Sequence, residues 1–314
     1  MNKVGLIEVA GSSLVIRQIL SRGNSDLMVW SPEDGSVDTT DKARQVPLEE
    51  LATASLLVFT APLDQCRPLA RALGDVITGR HVIVHTIRGI EPGTAKIVSE
   101  ILQEETPTQR FGFITGPMSA DDHQSERPGA IVCASLFPEV HDLVEEAMVA
   151  PNFRVYRSQD MVGAEVSAAY ARIIALMSGL GRGLDLGDSL QALLSARGLA
   201  EAARFVVFRQ GFERTTFGLS GLGNLHLDTS GKGSLDFQIG QFLAKKKKLD
   251  PDTVLQQFGH EARPLLDMIQ AFFQIGSRAS LDLPLLSGVH AILHQSLAPK
   301  EVISSLMNLP ALYE

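Results

Sequence analysis

The residues near the start of the chain that could bind a ligand form a turn, Glu8-Val9-Ala10-Gly11-Ser12-Ser13, between a short apolar run and an amphipathic one. A turn that joins a strand to a helix can hold a dinucleotide, because glycines let the backbone approach the pyrophosphate and helix N-terminal amides donate hydrogen bonds to it. If Glu8, Ala10 and Ser13 occupy the glycine positions of G-x-G-x-x-G, all three glycines are replaced. A carboxylate at Glu8 repels a pyrophosphate, so the turn predicts either weak dinucleotide binding or a structural role alone.

The composition narrows the classes of function. The 314 residues include 28 basic and 36 acidic side chains, which gives a formal net charge of -8. This charge argues against a protein that coats nucleic acid or an anionic membrane, but it does not exclude a small positively charged pocket. Cys66 and Cys133 form neither a disulfide framework nor a metal set, so we predict no metal and a reducing, cytoplasmic setting. We also predict no secretory signal and no membrane span, since the best apolar candidate, Ile173 to Leu180, is far shorter than the ~18 residues required.

The first half of the chain alternates apolar runs with amphipathic segments. The runs predict strands at Val4–Ile7, Leu27–Trp30, Leu56–Thr60, His81–Thr86, Phe111–Thr115, Gly129–Ala134 and Phe153–Tyr156. The segments predict helices at about 12–20, 64–77, 93–105 and 137–148, and the polar stretch 31–45 predicts a loop. Near-continuous apolar strands fit a sheet that is buried on both faces, so residues 1–160 are predicted to form a mostly parallel α/β domain.

The second half has a helical period throughout. Strand-like runs disappear after about residue 160, and a broad apolar stripe that includes Val166, Tyr170, Ile173 and Met177 predicts a buried helix. Further helices are predicted at 190–208, 235–244, 252–258, 263–273, 285–294 and 299–307. Residues 161–314 are therefore predicted to form an all-α domain.

Motifs in matching order along nearly the whole chain resemble those of the bacterial NAD(P)-dependent glycerol-3-phosphate dehydrogenases. The run Arg88 to Thr94 resembles that family's K-G-(I/L)-E-P-G-T, and Thr115 to Ala120, which includes Gly116, resembles its S-G-P-S-F-A. Further matches are Phe153–Tyr156 to F-R-V-Y, Gly183–Asp188 to G-L-x-L-G-D, Arg197–Glu201 to R-G-L-A-E and Gly218–Gly223 to G-L-x-G-L-G. The resemblance implies a Rossmann-type domain followed by a helical domain, with the active site between them.

The same resemblance places unsuitable residues at the reactive positions. In that family a nicotinamide hydride reduces dihydroxyacetone phosphate, while a lysine donates a proton to the forming alkoxide and an aspartate sets the charge and position of the lysine. The lysine position falls on Ala171 and the aspartate position on Asn224. A second lysine falls on Arg88, and the family's Arg-Asn pair, which serves phosphate and cofactor, falls on Leu235-Asp236. Loss concentrated in the site indicates that the fold is kept for another purpose.

We therefore predict a glycerol-3-phosphate dehydrogenase-like protein that is catalytically impaired or repurposed. It binds a phosphorylated metabolite or a protein partner in the interdomain cleft or, for a partner, on the helical surface. The predicted anion-binding residues are Arg88, Gly116 and Arg172, because two guanidiniums suit bidentate hydrogen bonds to a phosphate. The alternative for the two arginines is that they pair with acids of the chain, such as Glu165 or Asp185.

The alternative function is an active NAD(P)-dependent oxidoreductase that interconverts dihydroxyacetone phosphate and glycerol 3-phosphate with a relocated proton donor. Tyr170, Lys232 and His226 are the candidates, although core packing explains the first and solvent exposure the other two. If NAD or NADP binds, the predicted contacts are Gly11, Ser12, Ser13 and Pro62. The sequence leaves open whether the chain forms a homo-oligomer.

Overall fold

The computed structural model describes residues 2–9, 14–23, 25–32, 43–148, 150, 152–246 and 249–308. Within these residues the N-terminal part forms an eight-stranded sheet with the order β3-β2-β1-β4-β5-β6-β7-β8. The strands are β1 (Lys3–Ile7), β2 (Asp26–Trp30), β3 (Arg44–Gln45), β4 (Leu56–Phe59), β5 (Val82–His85), β6 (Phe111–Thr115), β7 (Gly129–Ala134) and β8 (Phe153–Ser158). Each predicted strand is present, because a sheet covered on both faces demands the continuous apolar runs that the sequence shows.

The sheet is doubly wound, and its strand order reverses at the centre. β1 lies between β2 and β4, and the strands β1 to β6 are parallel to one another. β7 runs antiparallel to β6, and β8 is parallel to β7. The prediction of a mostly parallel, Rossmann-type sheet is thus confirmed. In such sheets a ligand sits beyond the carboxyl ends of the strands at the reversal, which here is the gap between the ends of β1 and β4.

Helices cover both faces of the sheet. They are α1 (Leu14–Arg22), α2 (Cys66–Gly74), α3 (Val98–Glu105), α4 (Ala120–Gln124) and α5 (Pro138–Ala147). α2 and α3 pack on one face against side chains such as Leu57 and Ile83. α1 and α5 pack on the other face against side chains such as Val58 and Val84. The alternation of the two cores along β4 and β5 follows from the two-residue period of a strand.

Several local features differ from the sequence prediction, including the short helix α4, which was not predicted. Arg44 and Gln45, predicted as loop, form the exposed edge strand β3 beside β2. The helix predicted from about residue 93 begins only at Val98. Gly93 has a φ of +82°, and a Glu100 side-chain oxygen accepts a hydrogen bond from the Ile97 amide at 2.9 Å, so a turn and a cap precede the helix.

The helical domain is built around α6 (Met161–Gly183). The remaining helices are α7 (Gly187–Phe208), α8 (Asn224–Thr229), α9 (Leu235–Leu243), α10 (Pro251–Phe258), α11 (Arg263–Arg278), α12 (Pro284–Gln295) and α13 (Pro299–Met307). α6 is long and apolar enough to cross a membrane, but 83% of its apolar window is buried inside the protein, which makes it a core helix. α9 packs so close to it that a Cβ added to Gly179 would lie 1.9 Å from the Phe237 carbonyl oxygen.

Candidate functional site

A cleft of about 620 Å³ opens between the sheet domain and the helical domain. One wall follows the carboxyl ends of β1, β4 and β5, and the other comes from α6, the start of α9 and residues 259–264. The lining residues are Val9, Ala61, Pro62, Leu63, Gln65, Thr86, Ile87, Arg88, Arg172, Leu235, His260, Glu261 and Pro264. The cleft lies at the strand-order reversal, and its volume is typical of small-molecule sites, which run from about 300 to 1,000 Å³.

Arg88 follows β5 and reaches across to the helical domain. Its Nη1 and Nη2 donate to the two carboxylate oxygens of Asp228 at 3.2 and 2.5 Å. Its Nε donates to the backbone oxygen of Ala168 in α6 at 3.1 Å. Asp228 lies in α8 and its side chain is only 9% exposed, so this bidentate pair ties the two domains together at the cleft.

Arg172 projects from α6 and pairs within the helical domain. Its Nε and Nη2 donate to the carboxylate of Asp236 at 2.7 and 3.0 Å, and its Nη1 donates to the Arg88 backbone oxygen at 3.0 Å. Burial lowers the pKa of Arg172, but the charge and the hydrogen bonds of Asp236 together raise it above its ordinary value. The guanidinium therefore stays charged and is already matched by a carboxylate of the chain.

The structure brings the two predicted anion-binding arginines together but gives them partners other than Glu165 or Asp185. Those partners, Asp228 and Asp236, are the carboxylates that the sequence analysis missed. The resemblance places an asparagine that follows the family's lysine on Arg172, and the asparagine of the family's Arg-Asn pair on Asp236. Opposite charges at these two motif positions were therefore visible in the sequence. A guanidinium has five N–H donors. Each arginine uses three of them, so two on each have no partner among the described residues.

Ala171 and Asn224, on which the resemblance places the family's proton donor and aspartate, are both buried and make structural contacts. Ala171 is fully buried in the core of the helical domain. The Asn224 amide is also buried and donates to the Thr115 hydroxyl and to the Ser220 backbone oxygen, both at 2.8 Å. Gly116 follows Thr115 with a φ of +138° and does not line the cleft. These residues fix α8 against the end of β6 and carry no ionisable group.

We call the side of the cleft at the ends of β1 and β4, lined by Val9 and Pro62, the nucleotide half, and a buried carboxylate, Glu8, lies next to Val9. Glu8 continues the pairing of β1 with β2 through its amide, which donates to the Trp30 oxygen at 2.9 Å, and one of its carboxylate oxygens lies 3.5 Å from Nη1 of Arg17. Pro62, one of the predicted cofactor contacts, lines the cleft. The other predicted contacts, Gly11, Ser12 and Ser13, lie outside the described residues. A charged side chain where the dinucleotide signature needs glycine does not fit a pyrophosphate.

The predicted replacement donors lie away from the cleft. Tyr170 is fully buried, and its hydroxyl donates to a Glu201 carboxylate oxygen at 2.9 Å. Burial, followed by the charge of Glu201, raises the pKa of Tyr170 well above its ordinary value. His226 and Lys232 are exposed, and neither lines the cleft.

A histidine that the sequence did not single out does line the cleft. His260 follows α10, and its Nε2 lies 2.7 Å from a carboxylate oxygen of Asp64 in the sheet domain. The two residues are separated by 196 positions, so no local pattern could have paired them. They form a further contact between the domains, in addition to those of Arg88 and Asn224.

Comparison with known proteins identifies the family. Profiles described as the NAD-dependent glycerol-3-phosphate dehydrogenase N-terminus and C-terminus match residues 33–140 and 160–304. A Sinorhizobium fredii protein named glycerol-3-phosphate dehydrogenase (NAD(P)+) is 31% identical over 270 residues, covering 84% of this chain and 78% of that protein. The chain belongs to the NAD(P)-dependent glycerol-3-phosphate dehydrogenase family.

Further relatives match the whole length of this family member. A protein of the same name from an Exiguobacterium species is 29% identical and covers 100% of this chain and 97% of its own length. The crystal structure of the Coxiella burnetii glycerol-3-phosphate dehydrogenase superposes with a TM-score of 0.89 at 23% identity, over 98% of this chain and 99% of that one. The structural likeness establishes the shared two-domain fold.

Proposed function

We propose that this member of the glycerol-3-phosphate dehydrogenase family does not carry out efficient hydride transfer and uses its interdomain cleft to bind a small phosphorylated metabolite. The observation that carries the proposal is the pairing of Arg88 with Asp228 and of Arg172 with Asp236, beside a buried Ala171. An alanine methyl group cannot hand a proton to an alkoxide. An arginine is effectively never deprotonated, so neither paired guanidinium replaces the missing lysine.

The unpaired N–H groups of the two arginines support recognition of a phosphate. A phosphate monoester can accept hydrogen bonds from two N–H groups on each guanidinium while both aspartates stay in place. Because each arginine is matched by a carboxylate, the local charge is close to neutral, and we expect moderate affinity. Thr86 and Gln65 on the sheet-domain wall offer polar partners for the hydroxyl groups of a small polyol phosphate.

The family cofactor fits this chain poorly. When bound to a dehydrogenase, a nicotinamide dinucleotide supplies or accepts the hydride. In this chain the buried Glu8 carboxylate opposes the pyrophosphate by its charge, and its Cβ crowds the turn. We therefore propose that NAD and NADP bind weakly, and that the metabolite binds without them.

One observation favours a second candidate, an active dehydrogenase with a relocated proton donor. His260 lines the cleft and lies next to the Asp64 carboxylate, an arrangement that orients an imidazole for proton transfer. If this candidate were correct, the protein would oxidise NADH in the presence of dihydroxyacetone phosphate, and His260→Gln would abolish the reaction. The first proposal predicts no oxidation above background for either protein.

We also propose a location for the protein and a surface for contacts with partners. Both cysteines are free and buried, which suits a reducing compartment, and we propose that the protein acts in the cytoplasm. The helical surface remains our candidate for contact with a second copy or with another protein.

Calorimetric titration with glycerol 3-phosphate tests the proposed function. We expect this phosphate monoester to bind and glycerol not to bind. Arg88→Gln should weaken binding about tenfold, since a charge-assisted bidentate contact is worth roughly 1.5 kcal/mol. Arg110→Gln, at a partly exposed arginine outside the cleft, is the matched control and should leave the affinity unchanged. Equal affinity for glycerol and its phosphate would refute the proposal.

A further inference from the structure

A second pocket lies within the helical domain, on one face of α7. The α7 residues Leu190, Leu193, Leu194, Arg197 and Glu201 line it at the i, i+3, i+4, i+7 and i+11 spacing of one helix face. The other lining residues come from α12 and α13 and are Pro284, Leu285, Ile303, Leu306 and Met307. The pocket has a volume of about 100 Å³ and is predominantly apolar. It shares no residue with the interdomain cleft, so it does not depend on the function proposed above.

This pocket, which we call the α7–α13 pocket, has a cation, Arg197, at its rim and a carboxyl group, Glu201, on its inner wall. Arg197 is exposed at the rim and has neither a hydrogen bond nor an ion pair among the described residues. Arg204, two turns further along α7, donates instead to the Asp282 backbone oxygen at 2.8 Å. Within the described part of the chain, Arg197 is therefore an unpaired cation beside an apolar depression, which is the complement of an anion with an aliphatic tail.

The inner wall of the pocket carries the carboxyl group of Glu201. Its two oxygens accept hydrogen bonds from the Leu285 and Leu286 amides at 2.5 and 3.1 Å and from the Tyr170 hydroxyl at 2.9 Å. Burial raises the pKa of Glu201 to about 7, against the lowering effect of these donors and of the Arg204 charge. An ionised Glu201 repels an anionic ligand, and a dianion more strongly than a monoanion.

We propose that the α7–α13 pocket binds a short aliphatic monocarboxylate, with its chain between α7 and α13 and its carboxylate on Arg197. A single guanidinium matches one negative charge, and the acidic inner wall disfavours a phosphate dianion. An apolar cavity of about 150 Å³ admits benzene, so a pocket of about 100 Å³ has room for roughly four carbons. The ligand class is therefore a fatty acid of about five carbons, including the carboxyl carbon.

Calorimetric titration of the full chain with straight-chain carboxylates tests this assignment. From acetate to pentanoate we expect the affinity to rise about fourfold for each added methylene, because each buried CH₂ contributes about 0.8 kcal/mol. Longer chains should gain little. Pentanol, pentyl phosphate and pentylammonium should each bind more weakly than pentanoate. The affinity for pentanoate should also fall as the pH rises through the pKa of Glu201, about 7.

Two variants test separately how the Arg197 charge and the apolar cavity contribute to pentanoate binding. Arg197→Gln should weaken pentanoate binding about fivefold, the effect of a favourable exposed ion pair. Arg278→Gln, at an exposed arginine of α11, is the matched control and should have no effect. Leu306→Trp should fill the pocket and abolish binding. If that variant does not fold, the methyl resonances of Ile303 and Met307 in the unmodified protein should still shift with pentanoate.

The proposal is overturned by any of three results. The first is an affinity that does not depend on chain length. The second is equal loss in Arg197→Gln and Arg278→Gln. The third is tighter binding of pentyl phosphate than of pentanoate, which would assign the pocket to a phosphate ligand.

Discussion

The two halves of the interdomain cleft hold their charges in different ways. In the nucleotide half, Glu8 and Arg17 approach each other through one contact of 3.5 Å. We call the side of the cleft lined by Arg88, Arg172 and Leu235 the substrate half. There, each arginine pairs with an aspartate through two hydrogen bonds of 2.5 to 3.2 Å. A single contact at the distance limit is a weak interaction, whereas a bidentate guanidinium–carboxylate pair is strong and directional.

The difference indicates which change would strengthen ligand binding in each half. Glu8, Ala10 and Ser13 stand where we expect the glycines of the dinucleotide signature, so tighter dinucleotide binding needs backbone space as well as a change of charge. The substrate half keeps its cations and has gained carboxylates that neutralise them. Neutralising one carboxylate there should be enough to strengthen anion binding. Substitutions of Arg172, Asp228 and Glu8 test this contrast, and a substitution of Glu201 tests a buried carboxylate outside the cleft.

The largest effect is expected for Arg172→Met. The side chains of Arg172 and Asp236 are 16% and 7% exposed, so removing the cation leaves a carboxylate buried without its partner. We expect the free energy of unfolding to fall by about 3 kcal/mol, measured by urea denaturation. The double variant Arg172→Met/Asp236→Leu should recover most of that loss, because it removes both charges. A loss no larger than that of Glu8→Gln would contradict the contrast between the two halves.

The next effect concerns Glu201, a buried carboxylate that accepts hydrogen bonds but, among the described residues, has no guanidinium at bonding distance. Burial raises its pKa from an ordinary value of 4.5 to about 7. The folded state therefore binds more protons than the unfolded state between these values, and stability falls as the pH rises through this window. We expect a fall of about 2.5 kcal/mol between pH 4.5 and 7. Denaturation at several pH values should show that Glu201→Gln removes the slope and that Glu145→Gln, at an exposed carboxylate, does not.

Asp228→Asn should increase the affinity of the cleft for phosphate. The substitution removes the carboxylate that neutralises Arg88 and keeps a side chain of similar size. We expect inorganic phosphate and glycerol 3-phosphate to bind about tenfold more tightly, a gain of about 1.4 kcal/mol. Calorimetry measures the change, and Asp142→Asn, which removes an exposed acid paired with Arg157, is the control. Unchanged affinity would mean that Asp228 does not compete with the ligand.

The smallest effect is expected for Glu8→Gln. Because its contact with Arg17 is single and long, replacing the carboxylate by an amide should cost about 1 kcal/mol of stability. The same variant should bind NADH slightly more tightly, which fluorescence titration would show. A fall in the free energy of unfolding equal to that of Arg172→Met would contradict the contrast between the two halves of the cleft.

Local patterns in the sequence were sufficient to predict much of the fold. The strands are visible as apolar runs because both faces of the sheet are buried, and α6 is visible as an apolar stripe at helical spacing. The reversal of β7 is invisible, since a buried strand shows the same run in either direction. The edge strand β3 contains only two exposed residues, Arg44 and Gln45, and gives no periodic signal.

The candidate site could be predicted only in outline. The resemblance to the family motifs pointed to Arg88 and Arg172 and predicted that the proton-donor and aspartate positions fall on Ala171 and Asn224. The partners of the arginines depend on tertiary contacts, since Arg88 and Asp228 lie 140 positions apart and Arg172 and Asp236 lie 64 apart. For Arg172 and Asp236 the sequence offered one signal, namely opposite charges at two motif positions. For Arg88 and Asp228 it offered none.

The most direct test of the central claim follows the hydride itself. The protein is incubated with dihydroxyacetone phosphate and NADH that carries deuterium at the transferred position, and glycerol 3-phosphate is examined by mass spectrometry. We predict no labelled glycerol 3-phosphate beyond that in a sample without protein. Deuterium accumulating in glycerol 3-phosphate over many turnovers would contradict the claim.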